Sequence, residues 1–337
     1  MNRSVIGVAV LLAAGVNPSK GQVTATALNI EIQNLVEYQV DTLDFSKAGT
    51  NPNITIGTFS NLGCIGLNGV VAVGDIVTVN GHPAKGTYVS RGVGVCMSPT
   101  PVSRQPIADT SAATIRFETY DILQSDGTPV GTIMTNGLTS AAPSPPGPPL
   151  GAMNFAIVGG TGAFLGSRGQ AGKIPGLSGN VPARLASNSE DPANRRQNGG
   201  GRQFYTLYVT PMSQPAIVMT AAGPAVTHSN DFSLVGASKP AVAGEILSLF
   251  ATGLGPTRPG VTPGQPFPSG LLAVVNSPID VTVNGKSTEV LASVGYPGAL
   301  DGYQVNFRMP SDTPKGTATI QVSAAWTVGA AVSILVQ

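Results

Sequence analysis

The stretch Phe155-Ala156-Ile157-Val158-Gly159-Gly160-Thr161-Gly162-Ala163-Phe164-Leu165-Gly166-Ser167-Arg168-Gly169-Gln170 decides how the chain is read. A hydrophobic run followed by glycines at 159, 162 and 166 has the outline of a dinucleotide fingerprint. That fingerprint requires a helix opening on the glycines and an acid about 20 residues later, inside a βαβ unit. The residues that follow include Gly166, Gly169, Gly172, Pro175, Gly176 and Gly179, and each of them opposes a helix. The stretch therefore predicts a strand, a tight corner built from Gly159, Gly160, Thr161, Gly162, Phe164 and Gly169, and a second strand that turns back. Glycine allows the positive φ that such a corner needs.

The surrounding composition agrees with strands. The chain has 337 residues, long enough for two ordinary domains, with 43 glycines and 28 prolines. Short alternating runs separated by Gly, Pro, Asn and Asp dominate, which predicts an all-β protein. Charged residues make up 10% of the chain and the net charge is +1, so there is no basic stripe for nucleic acid.

The N-terminus reads as an export signal. Arg3 supplies the positive end, residues 5–16 form an apolar run of the right length, and Ser19 and Gly21 suit a cleavage site before Gln22. That run is too short to span a bilayer and no other stretch reaches transmembrane length. The expectation is a secreted protein, periplasmic or extracellular, with a signal peptide over residues 1–21 and no transmembrane segment in the mature chain. Cys64 and Cys96 would then sit in an oxidising compartment, where an even count permits one disulfide. The two cysteines and the distant His82 and His228 have no metal-ligand spacing, so no metal is expected.

In the first domain, residues 22–212, the chain alternates from Leu28. Leu28, Ile30, Ile32, Val36, Tyr38 and Val40 fall on one face, and Asn29, Glu31, Gln33, Glu37, Gln39 and Asp41 on the other. Asn34 interrupts the apolar face and Tyr38 brings a hydroxyl to it. A polar atom inside a barrel must find a partner, structural or ligand. Residues 47–53 read as a loop. Two short strands follow at residues 70–73 and 76–79, separated by Gly74-Asp75, and another at residues 87–97. There Val89, Arg91, Val93 and Val95 share a face, with Gly92 and Gly94 opposite, beside Cys96. Residues 113–123 and 130–138 form a hairpin around Ser125-Asp126-Gly127-Thr128. A proline-rich loop, residues 141–149, precedes the opening stretch. A glycine-rich excursion, residues 175–202, follows it, and its Arg195-Arg196 reads as part of a solvated loop. A closing strand covers residues 204–209.

Several of these runs carry a resemblance. Gly-Gly-Thr-Gly with an aromatic two residues on, as at 159–164, resembles the signature of plant allene oxide cyclases and dirigent proteins. Gly94-Val95-Cys96-Met97, Gly74-Asp75-Ile76-Val77 and Gln203-Phe204-Tyr205-Thr206-Leu207-Tyr208 are similar to strands of the cyclases, in the same order. The resemblance implies a small antiparallel β-barrel of about eight strands, with Cys96 lining it and Asn80 one residue from the place of a barrel asparagine. It also implies an isomerase or cyclase activity without a cofactor. Two departures weigh on the activity. The Ser-Pro that follows the first strand in the cyclases is replaced by Thr42-Leu43-Asp44-Phe45. Their catalytic glutamate would correspond to Glu31 or Glu37, and strict alternation turns both outward. The plant relatives are oligomeric, but nothing in this sequence patterns an interface.

Residues 213–337 read as a second β domain. Strands are expected at residues 245–251, 279–283, 304–309, 317–323 and 332–336, with a type I′ turn at Asn284-Gly285. The short strands and turns predict a sandwich. The run from Gly244 to Pro256, Val281-Thr282-Val283-Asn284-Gly285 and the run from Tyr303 to Pro310 resemble an immunoglobulin-like C-terminal domain of secreted soil-bacterial proteins. No catalytic role attaches to that family. The whole chain is thus expected to be an antiparallel allene-oxide-cyclase-like β-barrel followed by an immunoglobulin-like β-sandwich.

No nucleophile elbow is present, and Ser229 beside His228 would point to the opposite face of a strand. Paired carboxylates would have to come from Glu31, Glu37, Asp75, Glu118 or Asp121. Two functions remain. In one, the barrel holds a small hydrophobic molecule and guides its isomerisation or cyclisation, with Asn34, Tyr38, Asn80, Arg91 and Cys96 as pocket candidates. In the other, the barrel is filled with side chains and the protein is a secreted binding or envelope component. A pocket with convergent polar groups separates the first from the second.

Overall fold

The computed structural model describes residues 25–41, 68–96, 112–139, 155–173, 178–186, 190–262 and 264–337. Among them the chain is all-β: a closed antiparallel barrel followed by two smaller sheets stacked face to face and a separate two-stranded ribbon. The barrel strands are β1 (Thr26–Asp41), β2 (Asn68–Val79), β3 (His82–Cys96), β4 (Ala112–Gln124), β5 (Pro129–Thr139), β6 (Phe155–Gly160), β7 (Arg168–Lys173) and, after the short β8 (Arg184–Ala186), β9 (Gly201–Thr210). Each pairs antiparallel with the next around the ring. β7 passes to β9, β9 to β1 and β1 back to β2, so the eight strands leave no edge. β8 lies outside the ring and runs parallel to β1 at residues 36–38, beyond the end of β9.

The opening stretch forms the expected corner. β6 ends at Gly160, one 3₁₀ turn covers Gly162–Phe164, and β7 returns antiparallel with Phe155 opposite Ala171. Gly162 sits at φ +61°, and a Cβ on Gly160 would stand 2.3 Å from the Phe164 carbonyl oxygen. The turn thus has no room for a side chain at Gly160, and it aims Phe164, 1% exposed, into the barrel.

β1 departs from simple alternation. Its pairing with β2 slips between Gln33 and Val36, where Asn34 takes φ +51°. Such a bulge adds one residue and exchanges the two faces of the strand beyond it. Before the bulge, Ile30 and Ile32 point inward. After it Leu35 does, and Glu37 pairs with Ala72, which pairs with Ser90, which pairs with Glu118 on the inner face. Glu37 therefore faces the lumen, while Val36 and Tyr38 face outward beside β8. The alternation that put Glu37 outward and Tyr38 inward is corrected by this one inserted residue.

Two other expectations change. β2 runs unbroken through Gly74-Asp75, because Gly74 gives way to Ile32, whose Cγ2 would lie 2.4 Å from a Cβ there. Arg195 and Arg196, on the short helix α1 (Arg195–Asn198), do not form a free solvated loop: they clamp Asp75 on the outer wall. Arg196 Nε donates to Asp75 Oδ2 at 2.9 Å, Asn34 Nδ2 donates to the same oxygen at 2.9 Å, and Arg195 donates to Oδ1. Burial pushes the Asp75 carboxyl up, but these donors outweigh it and hold its pKa below the ordinary value. Asp75→Ala is expected to cost about 2–3 kcal/mol in urea unfolding, since it removes the one acceptor shared by Asn34, Arg195 and Arg196. The lowered pKa gives stability that is present above the unfolded value of about 3.9 and is lost as pH falls through the folded pKa. The gap between wild type and variant should therefore close in acid.

The barrel strands end at Thr210, and the second unit starts with β10 (Ala216–Ile217). β11 (Met219–Thr220) and β12 (Gly223–Pro224) form the ribbon. One of the two sheets contains β10, β13 (Val226–His228), β14 (Ile246–Thr252), β15 (Thr257–Arg258), β16 (Ala273–Val275), β19 (Val290–Gly295) and β20 (Tyr303–Arg308). The other contains β17 (Ile279–Val283), β18 (Lys286–Ser287), β21 (Gly316–Ala324), β22 (Thr327–Val328) and β23 (Val332–Val336). Leu247, Leu249, Val305 and Phe307 from the first meet Val281, Ile320, Val322 and Ile334 from the second in one core. Asn284-Gly285 makes the expected turn at φ +51° and +78°. The tip of the β21–β22 hairpin reaches back: Ala325 is 2% exposed within the barrel's own core and Trp326 packs against it. Gln124 Nε2 donates to the Asn276 carbonyl at 2.6 Å across the same junction.

Candidate functional site

The lumen has two halves of different chemistry. At the end with short turns it is filled with apolar side chains. Leu28, Ile30, Val79, Ile122, Val130, Ile133, Phe164, Leu207 and Val209 are each no more than 1% exposed. Above them lies a layer of three tyrosines, Tyr88, Tyr120 and Tyr205, with ring centroids 5.2–5.9 Å apart. The registers of β3, β4 and β9 bring them together, since Tyr88 pairs with Tyr120 and Tyr205 with Ile30.

Glu118 sits over this layer, two residues along β4 from Tyr120 and therefore on the same face. It is 1% exposed. Tyr88 donates to its Oε1 at 2.6 Å, and Tyr120 and Thr135 donate to its Oε2 at 2.7 and 3.2 Å. The Tyr205 hydroxyl lies 3.1 Å from that of Tyr88 and donates to Gln203 Oε1 at 3.2 Å. Burial pushes the Glu118 carboxyl up. The tyrosine and threonine donors and the charge of Arg116 pull it back without cancelling the rise. Burial and then the Glu118 charge push the Tyr88 and Tyr120 phenols well up, so both stay neutral donors.

The next level is basic. Arg116 lies two residues beyond Glu118 on the same face of β4, opposite Gly92 and Gly137. Lys173 ends β7 opposite Tyr205, again on the inner face. Burial, and then the neighbouring Arg116, lower the Lys173 pKa. Neither cation has an ion pair among the described residues. Arg116 Nε is buried without a hydrogen-bond partner among the described residues, as is Ser90 Oγ across from Glu118. Native interiors rarely leave such groups orphaned, and an unpaired one calls for a ligand or a water. Gln203 and Glu37 also face the lumen, Glu37 in the register row of Ala72, Ser90 and Glu118. Gly92 and Gly137, which flank Arg116, carry no side chain.

The residues singled out in the sequence lie elsewhere. Asn34 is the bulge residue and binds Asp75 on the outer wall. Tyr38 is buried on the outer side, and its hydroxyl has no partner among the described residues. Asn80 makes the β2–β3 turn with Gly81, at φ +51° and +77°, and holds β1 by accepting from Asn29 N at 2.7 Å. Arg91 is exposed on the outer face. Cys96 ends β3 opposite Ala112, but its side chain and all of Cys64 lie outside the described residues. Glu31, also outward, pairs with Arg202 at 2.7 Å.

Arg116, Lys173, Tyr88, Tyr120 and Tyr205 went unremarked as site residues, and Glu118 was one carboxylate among five. The available signal was parity on β4, where Arg116, Glu118, Tyr120 and Ile122 share a face. Hydrophobicity hid it, because Phe117 belongs to the opposite face and is 50% exposed. Comparison with family models, with curated proteins and with solved structures finds no match to this chain.

Proposed function

We propose that the barrel binds a small, largely apolar molecule with an acidic head group, in the half of the lumen above the three tyrosines. The observation that carries this reading is the convergence of Arg116 and Lys173, without an ion pair to any described acid, on the inner wall, with Gly92 and Gly137 on either side of Arg116. Two cations in a low-dielectric wall attract a carboxylate more strongly than they would in water. Glu118 and the buried tyrosines beneath it close the lumen below that site. The resemblance to allene oxide cyclases and dirigent proteins supports a barrel of this use, and the second unit, with its resemblance to an immunoglobulin-like domain, serves as a spacer or adhesive module. The apolar run at residues 5–16 supports export.

Cofactor-independent isomerisation or cyclisation of the bound molecule is the second reading. It is favoured by the raised pKa of Glu118 beside neutral phenols, a set able to accept a proton and to stabilise developing negative charge. The filled-barrel alternative accounts for the lower half of the lumen and leaves the orphaned Arg116 and Ser90 atoms unexplained.

Calorimetric titration of the full chain with decanoate and with 1-decanol tests the binding reading. Decanoate is expected to bind at least about tenfold tighter than the alcohol, and Arg116→Ala to erase that preference, a change of about 1.4 kcal/mol. Equal binding of the two probes, or a preference that survives Arg116→Ala, refutes it. Mass spectrometry of small molecules that co-purify with the protein would identify the natural ligand.

A further inference from the structure

A second site lies where the two units meet. The β21–β22 hairpin turns through Ala325 and Trp326, both left-handed, at φ +48° and +60°. Non-glycine residues avoid that region, and elsewhere this chain solves the same turn with Asn-Gly, at Asn80-Gly81 and Asn284-Gly285. Strain retained at a turn points to a use for the side chains it presents. Ala325 accounts for the docking, since it is buried in the barrel core. Trp326 is only partly covered, and its remaining surface forms one wall of a cleft of about 400 Å³. The opposite walls come from the barrel's short turns, with His82, Gln124 and Ser125, and from β17, with Asp280 beside Ser287. The volume suits a small ligand.

The lining is amphipathic in a particular way. Trp326, Ile279 and two prolines give an apolar floor, and His82, Asp280 and Ser287 set polar groups beside it. Asp280 Oδ2 accepts from Ser287 Oγ at 3.1 Å and keeps further lone pairs. The Gln124 amide nitrogen is engaged with the Asn276 carbonyl. His82 is exposed and offers a ring nitrogen. A pyranose has matching surfaces: a C–H face that lies on an aromatic ring and equatorial hydroxyls that bond sideways. The single acid disfavours an anionic sugar. We propose that this cleft binds one neutral sugar unit, stacked on Trp326 and held at its hydroxyls by Asp280 and His82.

Trp326 is the one tryptophan in the sequence, so its emission reports on this cleft alone. The full chain would be titrated with glucose, galactose, mannose, N-acetylglucosamine and their β-1,4-linked disaccharides while emission is recorded. At least one sugar is expected to give a saturable change with a Kd on the order of 1 mM, weakened about tenfold in Asp280→Ala and in His82→Ala. Both residues are at least partly solvent-exposed, and an unchanged emission maximum without sugar confirms that each variant keeps the hairpin docked. The absence of a saturable change with every sugar overturns the proposal, and so does a change that both variants leave intact.

Discussion

Glu118→Ala is expected to destabilise the barrel by about 4 kcal/mol or more in chemical denaturation followed by far-UV circular dichroism. The carboxylate receives three hydroxyl donors in a place without solvent. Its removal leaves Tyr88, Tyr120 and Thr135 buried without their acceptor, at about 1–3 kcal/mol each, and adds a void. Glu118→Gln should cost much less, about 1–2 kcal/mol, because one amide oxygen still accepts and the volume is kept. The pH response separates the two kinds of loss. A carboxyl whose folded pKa lies above its unfolded one favours folding at low pH, and that contribution fades as pH rises through the folded value. Wild type should therefore lose stability relative to Glu118→Gln from about pH 4.3 upward through the raised pKa. A flat difference across that window would show that the carboxyl is not perturbed.

Gly169→Ala is expected to prevent folding of the barrel or to cost upwards of about 4 kcal/mol. Gly169 stands at φ +141° opposite Val209, and an added Cβ would lie 1.9 Å from the Tyr208 carbonyl oxygen. The obstructing atom is backbone within the β7–β9 ladder, so no rotamer can move it aside. Gly285→Ala is the control. It also has positive φ, +78°, but nothing lies within 4 Å of the added Cβ, so the expected cost is the left-handed penalty of about 1 kcal/mol. Similar losses for the two variants would mean that conformation alone, and not crowding, fixes the corner.

The contrast between these two sites shows what a sequence conveys. Gly159-Gly160-Thr161-Gly162 announced a corner because glycine and the missing helix former are local signals, and the β4–β5 hairpin announced itself through Ser125-Asp126-Gly127. The strands followed from accumulated alternation, and the barrel from the resemblance to the cyclases and dirigent proteins. The lumen was a different matter. Its charged residues, Arg116, Glu118 and Lys173, look like ordinary solvated positions, and their inward direction depends on registers fixed by strands far away in the chain. Asn34 read as a polar intrusion on an apolar face, when it is the bulge that ends that face. Arg195 and Arg196 read as solvated because their partner, Asp75, lies 120 residues earlier for the first of them. Nothing local signals such a pairing.

The bulge at Asn34 has a consequence for how such a barrel could diversify. A substitution at 34 that refused the left-handed backbone would restore plain alternation and turn the distal part of β1 over as a block, exchanging an acidic rim group at 37 for the aromatic ring at 38. The proximal part, up to Ile32, would keep its place against the hydrophobic plug. A single substitution would thus retune what the cup admits without disturbing the foundation that keeps it closed, whereas deleting residue 34 outright would leave Leu35 and Glu37 facing inward as before.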